Sequence, residues 1–463
     1  MIKSFEEVYN CDSITLDVTN NCNLRCIYCF EGYKKPENMP PEIAVDAIKK
    51  AYKEVPRETG TFTINFFGGE PLLNWPAIKA VIDYCNEAKL NVRYGITTNL
   101  VGLTDEMLTY FDDNSVYVMV SIDGIREVHN KNRSNSYDRV VSNIKRMSEL
   151  GLNIFIEARM TILPEDVKYA LKGVQEIFNM GIDNICPMVV TDVHWDKQHL
   201  FELEKFYVDL NNYYIALLNQ EDLKRNISIK RTDEVLTNIL SPDLDDPIMC
   251  PIFSDRWCTV DVHGDVYPCH QLPTSKDEIK LPQKLGNIYT GVDDELIYSN
   301  AENLIKAAYS KPECKNCYGR SICKAGCPEE NLRETNNMQT PNDDYCNTVK
   351  ALVNAVYKVQ DSILNASNIR NRRLNLLKLN LQIKDYIVNE VIPMDLTNKL
   401  VVNARLMHVN EMIDSVGENN LFPTFSDYFK QILGVIGAAV FAANDIPLEQ
   451  IEKSLEKEKQ SNG

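Results

Sequence analysis

Between residue 12 and about residue 220, short β-branched apolar runs alternate with longer stretches of helical period. Ile14–Val18, Phe62–Phe67, Val92–Thr97, Val116–Ser121, Ile154–Met160 and Asn184–Val190 predict strands. Pro41–Glu54, Trp75–Ala88, Thr104–Phe111, Tyr137–Leu150, Glu165–Met180 and Lys197–Leu218 predict the intervening helices. Their starts carry physical signals: Pro40-Pro41, Thr104 three residues before Met107, and Pro164-Glu165. Repeated strand-then-helix units imply parallel strands joined by right-handed crossovers. Six units are fewer than a closed eight-fold barrel needs, so the expectation is an α/β chain built on an open, partial (β/α)6 barrel.

In such barrels, chemistry gathers at the C-terminal ends of the strands. The triplet Cys22-x3-Cys26-x2-Cys29 follows the first strand, and Gly68-Gly69-Glu70-Pro71 ends the second. Thr97-Thr98-Asn99 ends the third, Ser121-Ile122-Asp123-Gly124 the fourth, and Arg159 lies near the end of the fifth. Five consecutive strand ends therefore converge on one mouth. Three thiolates can hold three irons of a cubane and leave the fourth without a protein ligand. Taken singly, the triplet also reads as a zinc knuckle, and the Gly-Gly-Glu-Pro segment as a plain turn.

Composition narrows the setting. Over 463 residues the hydrophobic fraction is 44% and the charged fraction 25%, ordinary for a globular protein of two or three domains. A net charge of −17 without a Lys/Arg block gives a nucleic acid or an anionic membrane nothing to bind. Ile2–Asn10 has no apolar core of an export signal, and Ile432–Ala443 is too short to span a bilayer and reads as a buried helix. Fourteen cysteines without such a signal argue for metal ligation in a reducing cytoplasm rather than disulfides.

A composition shift at Ser241–Pro247 places domain boundaries at 1–240, 241–350 and 351–463. The middle segment holds Cys250, Cys258 and Cys269, then Cys314-x2-Cys317-x5-Cys323-x3-Cys327, then Cys346. His263-Gly264-Asp265 sits between two alternating runs and predicts a hairpin. A zinc ribbon is the plainer reading of this field. Cys11, Cys85 and Cys186 are left over: Cys85 reads as helix core, and Cys186 either packs or faces the barrel interior. The last segment predicts helices at Lys350–Leu364, Leu374–Val391, Leu396–Ser415 and Ser426–Ala443. Its basic group Arg370, Arg372, Arg373 and Lys378 reads first as a solvated helix face. A cap, a dimer interface and a peptide-docking module are all compatible with these helices.

These motifs resemble the radical S-adenosylmethionine (SAM) enzymes with a SPASM extension. The resemblance implies that Cys22, Cys26 and Cys29 carry a SAM-binding [4Fe–4S] cluster. It also implies that Gly68, Gly69 and Glu70 receive the SAM amino group, and that Asn99, Ser121 and Asp123 border its ribose and methionine. Arg133, which could equally form a surface ion pair, resembles the arginine that meets the SAM carboxylate. Two auxiliary [4Fe–4S] clusters are implied, one on Cys250, Cys269 and Cys327 and one on Cys314, Cys317, Cys323 and Cys346. Cys258 either closes the first auxiliary cluster or points elsewhere and leaves an iron open. Such enzymes generate a 5′-deoxyadenosyl radical that takes hydrogen from a substrate, here expected to be a ribosomally made precursor peptide.

His270 stands where the related anaerobic sulfatase maturases carry an Asp, as in maturases that form thioether crosslinks. It is therefore the candidate catalytic base, with a hydrogen bond to cluster sulfur as the alternative role. A cysteine-to-carbon thioether is the first expectation; carbon–carbon crosslinking, another peptide oxidation or formylglycine formation are the alternatives. Only 21 residues precede Cys22, too few for a leader-binding domain, so a separate leader-binding protein or the C-terminal segment is expected to serve. The expected partners are the peptide and a reductant such as flavodoxin or ferredoxin, in the cytoplasm of an anaerobe. A non-catalytic electron-transfer or zinc-scaffold protein is the reading from another class, and it has no use for five strand-end motifs.

Overall fold

The computed structural model describes residues 2–30, 36–54, 61–150, 154–220, 225–240, 252–272, 284–308, 314, 317–323, 326–338, 340–366, 381–383 and 409. Its strands are β1 (Ile2–Lys3), β2 (Ser13–Thr19), β3 (Phe62–Gly68), β4 (Val92–Thr98), β5 (Tyr117–Ser121) and β6 (Ile156–Ile162). They continue as β7 (Asn184–Val189), β8 (Ser228–Ile229), β9 (Trp257–Val260), β10 (Asp265–Tyr267), β11 (Gly286–Asn287) and β12 (Gly291–Asp293). All lie in one sheet of order β1-β12-β11-β10-β9-β2-β3-β4-β5-β6-β7-β8. From β2 to β8 neighbours in sequence are neighbours in space, and every pair is parallel.

The helices are α1 (Phe5–Val8), α2 (Pro41–Ala51), α3 (Trp75–Glu87), α4 (Asp105–Asp113) and α5 (Arg126–Asn132). Then come α6 (Tyr137–Glu149), α7 (Val167–Asn179), α8 (Lys197–Leu218), α9 (Lys230–Leu240) and α10 (Asp294–Ala308). Alternation along the strands sorts the core. Ile14, Leu16, Val18, Phe62, Ile64, Phe66, Ile96, Val118 and Val120 are buried on the helix-facing side, among Ala44, Ala47, Ile48, Ile78, Val81 and Ile82. The Tyr52 ring of the α2 end meets Phe62 edge-on at 5.6 Å, which fixes that sidedness. The other face carries Thr15, Asn65, Phe67, Thr97, Met119 and Ser121, and two of these touch: Thr97 Oγ1 lies 3.8 Å from Met119 Sδ. A sheet that is apolar on one face and mixed on the other suits a barrel whose interior must admit a ligand.

Six strands are expected from the sequence, and the sheet extends beyond them at both edges. β8 pairs with β7, and β9 lies parallel to β2 with Ser13 opposite Trp257 and Leu16 opposite Val260. The predicted hairpin is present as antiparallel β9 and β10, so the cysteine-rich segment continues the sheet of the barrel. The fifth predicted strand begins two residues later, at Ile156. Phe155 is half exposed there and stacks on Tyr117 at 4.8 Å, while its carbonyl accepts from Val118 N. The helix expected from Glu165 opens with a 3-10 turn at Pro164–Asp166 before α7. Between β5 and α6 lies α5, a helix that the apolar pattern does not predict.

The helix expected at Lys350–Leu364 is two pieces, Asp343–Tyr357 and Gln360–Leu364. The first starts early because the Asn342 side chain caps Tyr345 N. Apart from residues 381–383 and 409, the remaining C-terminal helices expected from sequence, and the basic group Arg370–Lys378, lie outside the described residues. One compact unit comprises Met1–Leu217, Arg225–Val235 and Leu244–Gln360; a second comprises Leu218–Lys224, Leu236–Asp243 and Asp361–Gly463. The strand ends and both cysteine fields belong to the first unit. No described helix is long and apolar enough to cross a membrane.

Candidate active site at the strand ends

The loop after β2 carries the cysteine triplet and is pinned from two sides. Ile27 N donates to Asn132 O at 3.0 Å and Arg25 N to Ser134 Oγ at 2.8 Å, tying the loop to the end of α5. Leu24 N points at Cys22 Sγ, 3.4 Å away. Burial pushes the Cys22 thiol up to about 11, and Cys26 and Cys29 push it the same way, which marks the three as electrostatic neighbours. Burial also raises Cys26, against the nearby Arg133 charge. Among the described residues, no three His, Cys, Asp or Glu side chains stand close enough together to grip a single metal ion. The donor set still fits a cubane, whose irons each take one thiolate: three soft thiols on one short loop, with an amide N–H and a guanidinium to temper their charge. A structural zinc site takes four ligands, one more than this loop offers.

Gly68-Gly69-Glu70 is built against the start of that loop. Gly69 N donates to Thr19 O and Glu70 N to Asn21 O, both at 2.8 Å. A Cβ on Gly68, where φ is +122°, would stand 2.3 Å from Thr19 O, and one on Gly69 would stand 2.4 Å from Asn21 O. Glycine is what lets the two strand ends meet. Glu70 is buried, and its carboxylate accepts from Thr98 Oγ1 (2.6 Å), Asn99 N (2.7 Å) and Leu72 N (3.1 Å). Burial nevertheless raises it to about 7, the three donors opposing. Asn99 Nδ2 reaches Asn23 Oδ1 at 2.8 Å, so the end of β4 also grips the cysteine loop.

Asp123 and Arg133 form a buried pair, Nε to Oδ1 at 3.1 Å, which removes the surface ion-pair reading of Arg133. Arg133 Nη1 lies 3.9 Å from Cys26 Sγ, and Nη2 donates to Thr161 Oγ1 at 3.3 Å. Its guanidinium sits over the Tyr28 ring at 5.2 Å, while Tyr28 Oη donates to Asp123 Oδ2 at 2.5 Å. Asp123 further accepts from Thr161 N. Behind it, His129 Nδ1 faces Asp123 N at 3.3 Å and Nε2 pairs with Ser136 Oγ at 2.9 Å. Burial, with the Arg133 charge second, lowers His129 to about 3, so it is a neutral buttress. Ser121 is half buried on β5, opposite Arg159 of β6.

His270 stands in an aromatic box. Its ring meets Phe67 at 4.6 Å, Phe30 at 6.1 Å and Trp257 at 6.3 Å, each edge-on. Burial, then the Arg159 charge, lowers it to about 4, so the imidazole is neutral at pH 7. The box joins the loop after β2, the end of β3 and the start of β9. Sequence reasoning missed Phe30, Phe67 and Trp257 as site walls; only their position beside strand ends could have pointed to them.

In the second cysteine field, Cys314, Cys317, Cys323 and Cys346 are electrostatic neighbours: each of the other three raises Cys323, after burial. Gly319 O accepts from Cys323 N, and Cys323 O from Gly326 N, both at 2.8 Å, winding the loop tightly. Cys327 begins the helix Pro328–Thr335. Cys250 lies outside the described residues. Cys258 is fully buried on β9 and hydrogen-bonds Cys11. Cys269 follows the end of β10, whose last residue, Tyr267, pairs with Thr259 on β9. Cys85 packs within α3 beside Tyr94, as expected.

The strand ends gather a thiol triplet, a buried carboxylate and a buried guanidinium, the composition of a barrel-enzyme site. Residues 16–178 match the Radical SAM superfamily, and over a longer span the chain is similar to anaerobic sulfatase-maturating enzymes. The cysteine-type anaerobic sulfatase-maturating enzyme of Clostridium novyi is 24% identical over 360 residues, 72% of this chain and 91% of that protein. The radical SAM cyclopropyl synthase TigE of Paramaledivibacter caminithermalis is 33% identical over 169 residues, 33% of this chain and 36% of its own length. The solved structure of anSMEcpe with bound AdoMet matches with a TM-score of 0.62 at 20% identity, covering 79% of this chain and 97% of that one. Streptococcus suis SuiB bound to precursor peptide SuiA matches at 0.51 and 16% identity, covering 72% and 76%. The fold is therefore that of the anSMEcpe structures.

Proposed function

We propose that this chain oxidises a residue within a peptide or protein substrate, by the sulfatase-maturase reaction that turns a cysteine or serine side chain into formylglycine. The observation that carries this reading is the single mouth at which the Cys22–Cys29 loop, the Asp123–Arg133–Tyr28 group and the His270 box adjoin. Similarity that spans 91% of a sulfatase-maturating enzyme supports the choice of reaction. Cys22, Cys26 and Cys29 would hold a [4Fe–4S] cluster, while Glu70, Asn99, Ser121, Asp123 and Arg133, with the Gly68-Gly69 backbone, would hold SAM. When bound, cluster and SAM together supply a reducing electron and a carbon radical that removes a hydrogen atom.

The chain's own residues do the rest. Arg133 offers a fixed positive charge beside Cys26, and Asp123 with Tyr28 keeps it there. Phe30, Phe67 and Trp257 wall His270 with apolar surface, which would help protect a radical from side reactions. Neutral His270 is the polar group in that apolar wall able to accept a substrate S–H or O–H hydrogen bond. The auxiliary cysteines would carry two further clusters, and a flavodoxin or ferredoxin would supply electrons.

His270 in place of the maturases' Asp supports the second reading, a thioether crosslink in a small precursor peptide. Anaerobic incubation of the reduced, reconstituted protein with SAM and cysteine- or serine-containing sulfatase peptides separates the two. Formylglycine formation gives an aldehyde captured by a hydrazide probe. A crosslinked peptide lighter by two hydrogens and silent to hydrazide, formed only from a precursor encoded nearby, overturns it in favour of the thioether.

A further inference from the structure

We propose that Arg159 is the residue that reads the substrate, binding a carboxylate of the peptide beside the position being oxidised; this rests on the peptide-oxidising reading above. Arg159 lies on β6, two residues before Thr161, whose hydroxyl contacts Arg133. Two residues along a strand restore the same face, so Arg159 points into the barrel on the side that carries the cofactor-facing group. Level with it across the register are Ser121 on β5 and Cys186 on β7.

Its surroundings leave it under-satisfied. Nε pairs with Glu157 Oε1 at 3.2 Å. Among the described residues Nη1 faces two sulfurs, Cys186 Sγ at 3.4 Å and Met188 Sδ at 3.3 Å, both weak acceptors. Among the described residues Nη2 has no partner. Glu157 is almost fully buried and does not belong to Arg159 alone: Lys230 Nζ approaches it at 3.1 Å and Tyr117 Oη donates to it at 2.5 Å. Two cations share one carboxylate, leaving one positive charge over. A third of the Arg159 side chain is exposed, and Met188 beside it is 44% exposed, so this charge faces an accessible apolar surface. A guanidinium with a free donor edge on such a surface selects a planar anion that can take two parallel hydrogen bonds, which is a carboxylate.

The test uses two synthetic cysteine peptides that differ only in an aspartate or asparagine flanking the cysteine, labelled for fluorescence anisotropy. Binding is measured to the anaerobically reconstituted wild type, Arg159→Gln and Arg159→Lys in the presence of SAM. The expected result is about a tenfold preference of the wild type for the aspartate peptide, lost in Arg159→Gln and partly kept in Arg159→Lys, with SAM affinity unchanged in all three. Equal preference in wild type and Arg159→Gln overturns the proposal. So does weakened SAM binding in Arg159→Gln, which would assign the guanidinium to the cofactor. Because binding is read directly, a preference seen without turnover separates failure of the proposed reaction from failure of this inference.

Discussion

At Asp123 one carboxylate serves three elements: it accepts from Tyr28 of the cysteine loop, from the Thr161 amide of β6, and pairs with Arg133 after α5. Removing its charge strands a buried guanidinium, so Asp123→Asn is expected to lose roughly 3–5 kcal/mol in anaerobic denaturant unfolding. Tyr28→Phe removes one hydrogen bond to a charged group and is expected to cost about 1.5–3 kcal/mol, leaving the pair intact. An Asp123→Asn loss no larger than that of Tyr28→Phe would show that the pair is solvated. The neighbouring His129 gives a pH signature. Its value falls from 6.5 to about 3 on folding, so between those limits the unfolded chain binds the extra proton. Its contribution is complete above pH 6.5 and is lost as pH falls through that window. His129→Gln should flatten the stability–pH slope there, and an unchanged slope would contradict the assignment. Asp123 was legible as a strand-end residue, and Arg133 through the family resemblance of the segment that follows it. The Arg159–Cys186–Glu157 network was not, since it joins β6, β7 and α9 through side chains whose partners no local pattern specifies.

Among the elements, one close approach decides how a strand end reaches the site. Gly124, at φ +85°, and Gly173 of α7 touch: a Cβ on Gly173 would lie 3.0 Å from Gly124 Cα and 2.8 Å from the Met160 terminal methyl. Gly173→Ala should therefore push α7 from the loop that carries Asp123, costing about 1–3 kcal/mol by overpacking and lowering the melting temperature. A melt identical to wild type would show that the helix has slack. The strands β2–β7 and helices α2–α4 and α6–α8 were legible because each buries one regular face, an apolar pattern that local sequence records. The pairing of β9 with β2 was not, because a parallel edge contact between residues 13–16 and 257–260 leaves no trace in either segment. The short α5 escaped for a different reason: seven residues give less than two turns of periodicity.

For the whole molecule, the central claim is that the loop after β2 makes the barrel a SAM-cleaving enzyme, with the cysteine-rich continuation of the sheet as its accessory. The sequence carried this further than the geometry of any single group, because thiol spacing is a chemical requirement that survives divergence of everything around it. What it could not carry was the substrate: the aromatic box and Arg159, the groups proposed to meet it, are assembled from distant segments. The most direct measurement is formation of 5′-deoxyadenosine from SAM by dithionite-reduced, anaerobically reconstituted protein, with Cys26→Ala alongside. Turnover in the wild type and none in Cys26→Ala is the predicted result; equal 5′-deoxyadenosine from both, or none from a wild type with full iron content, would contradict the account.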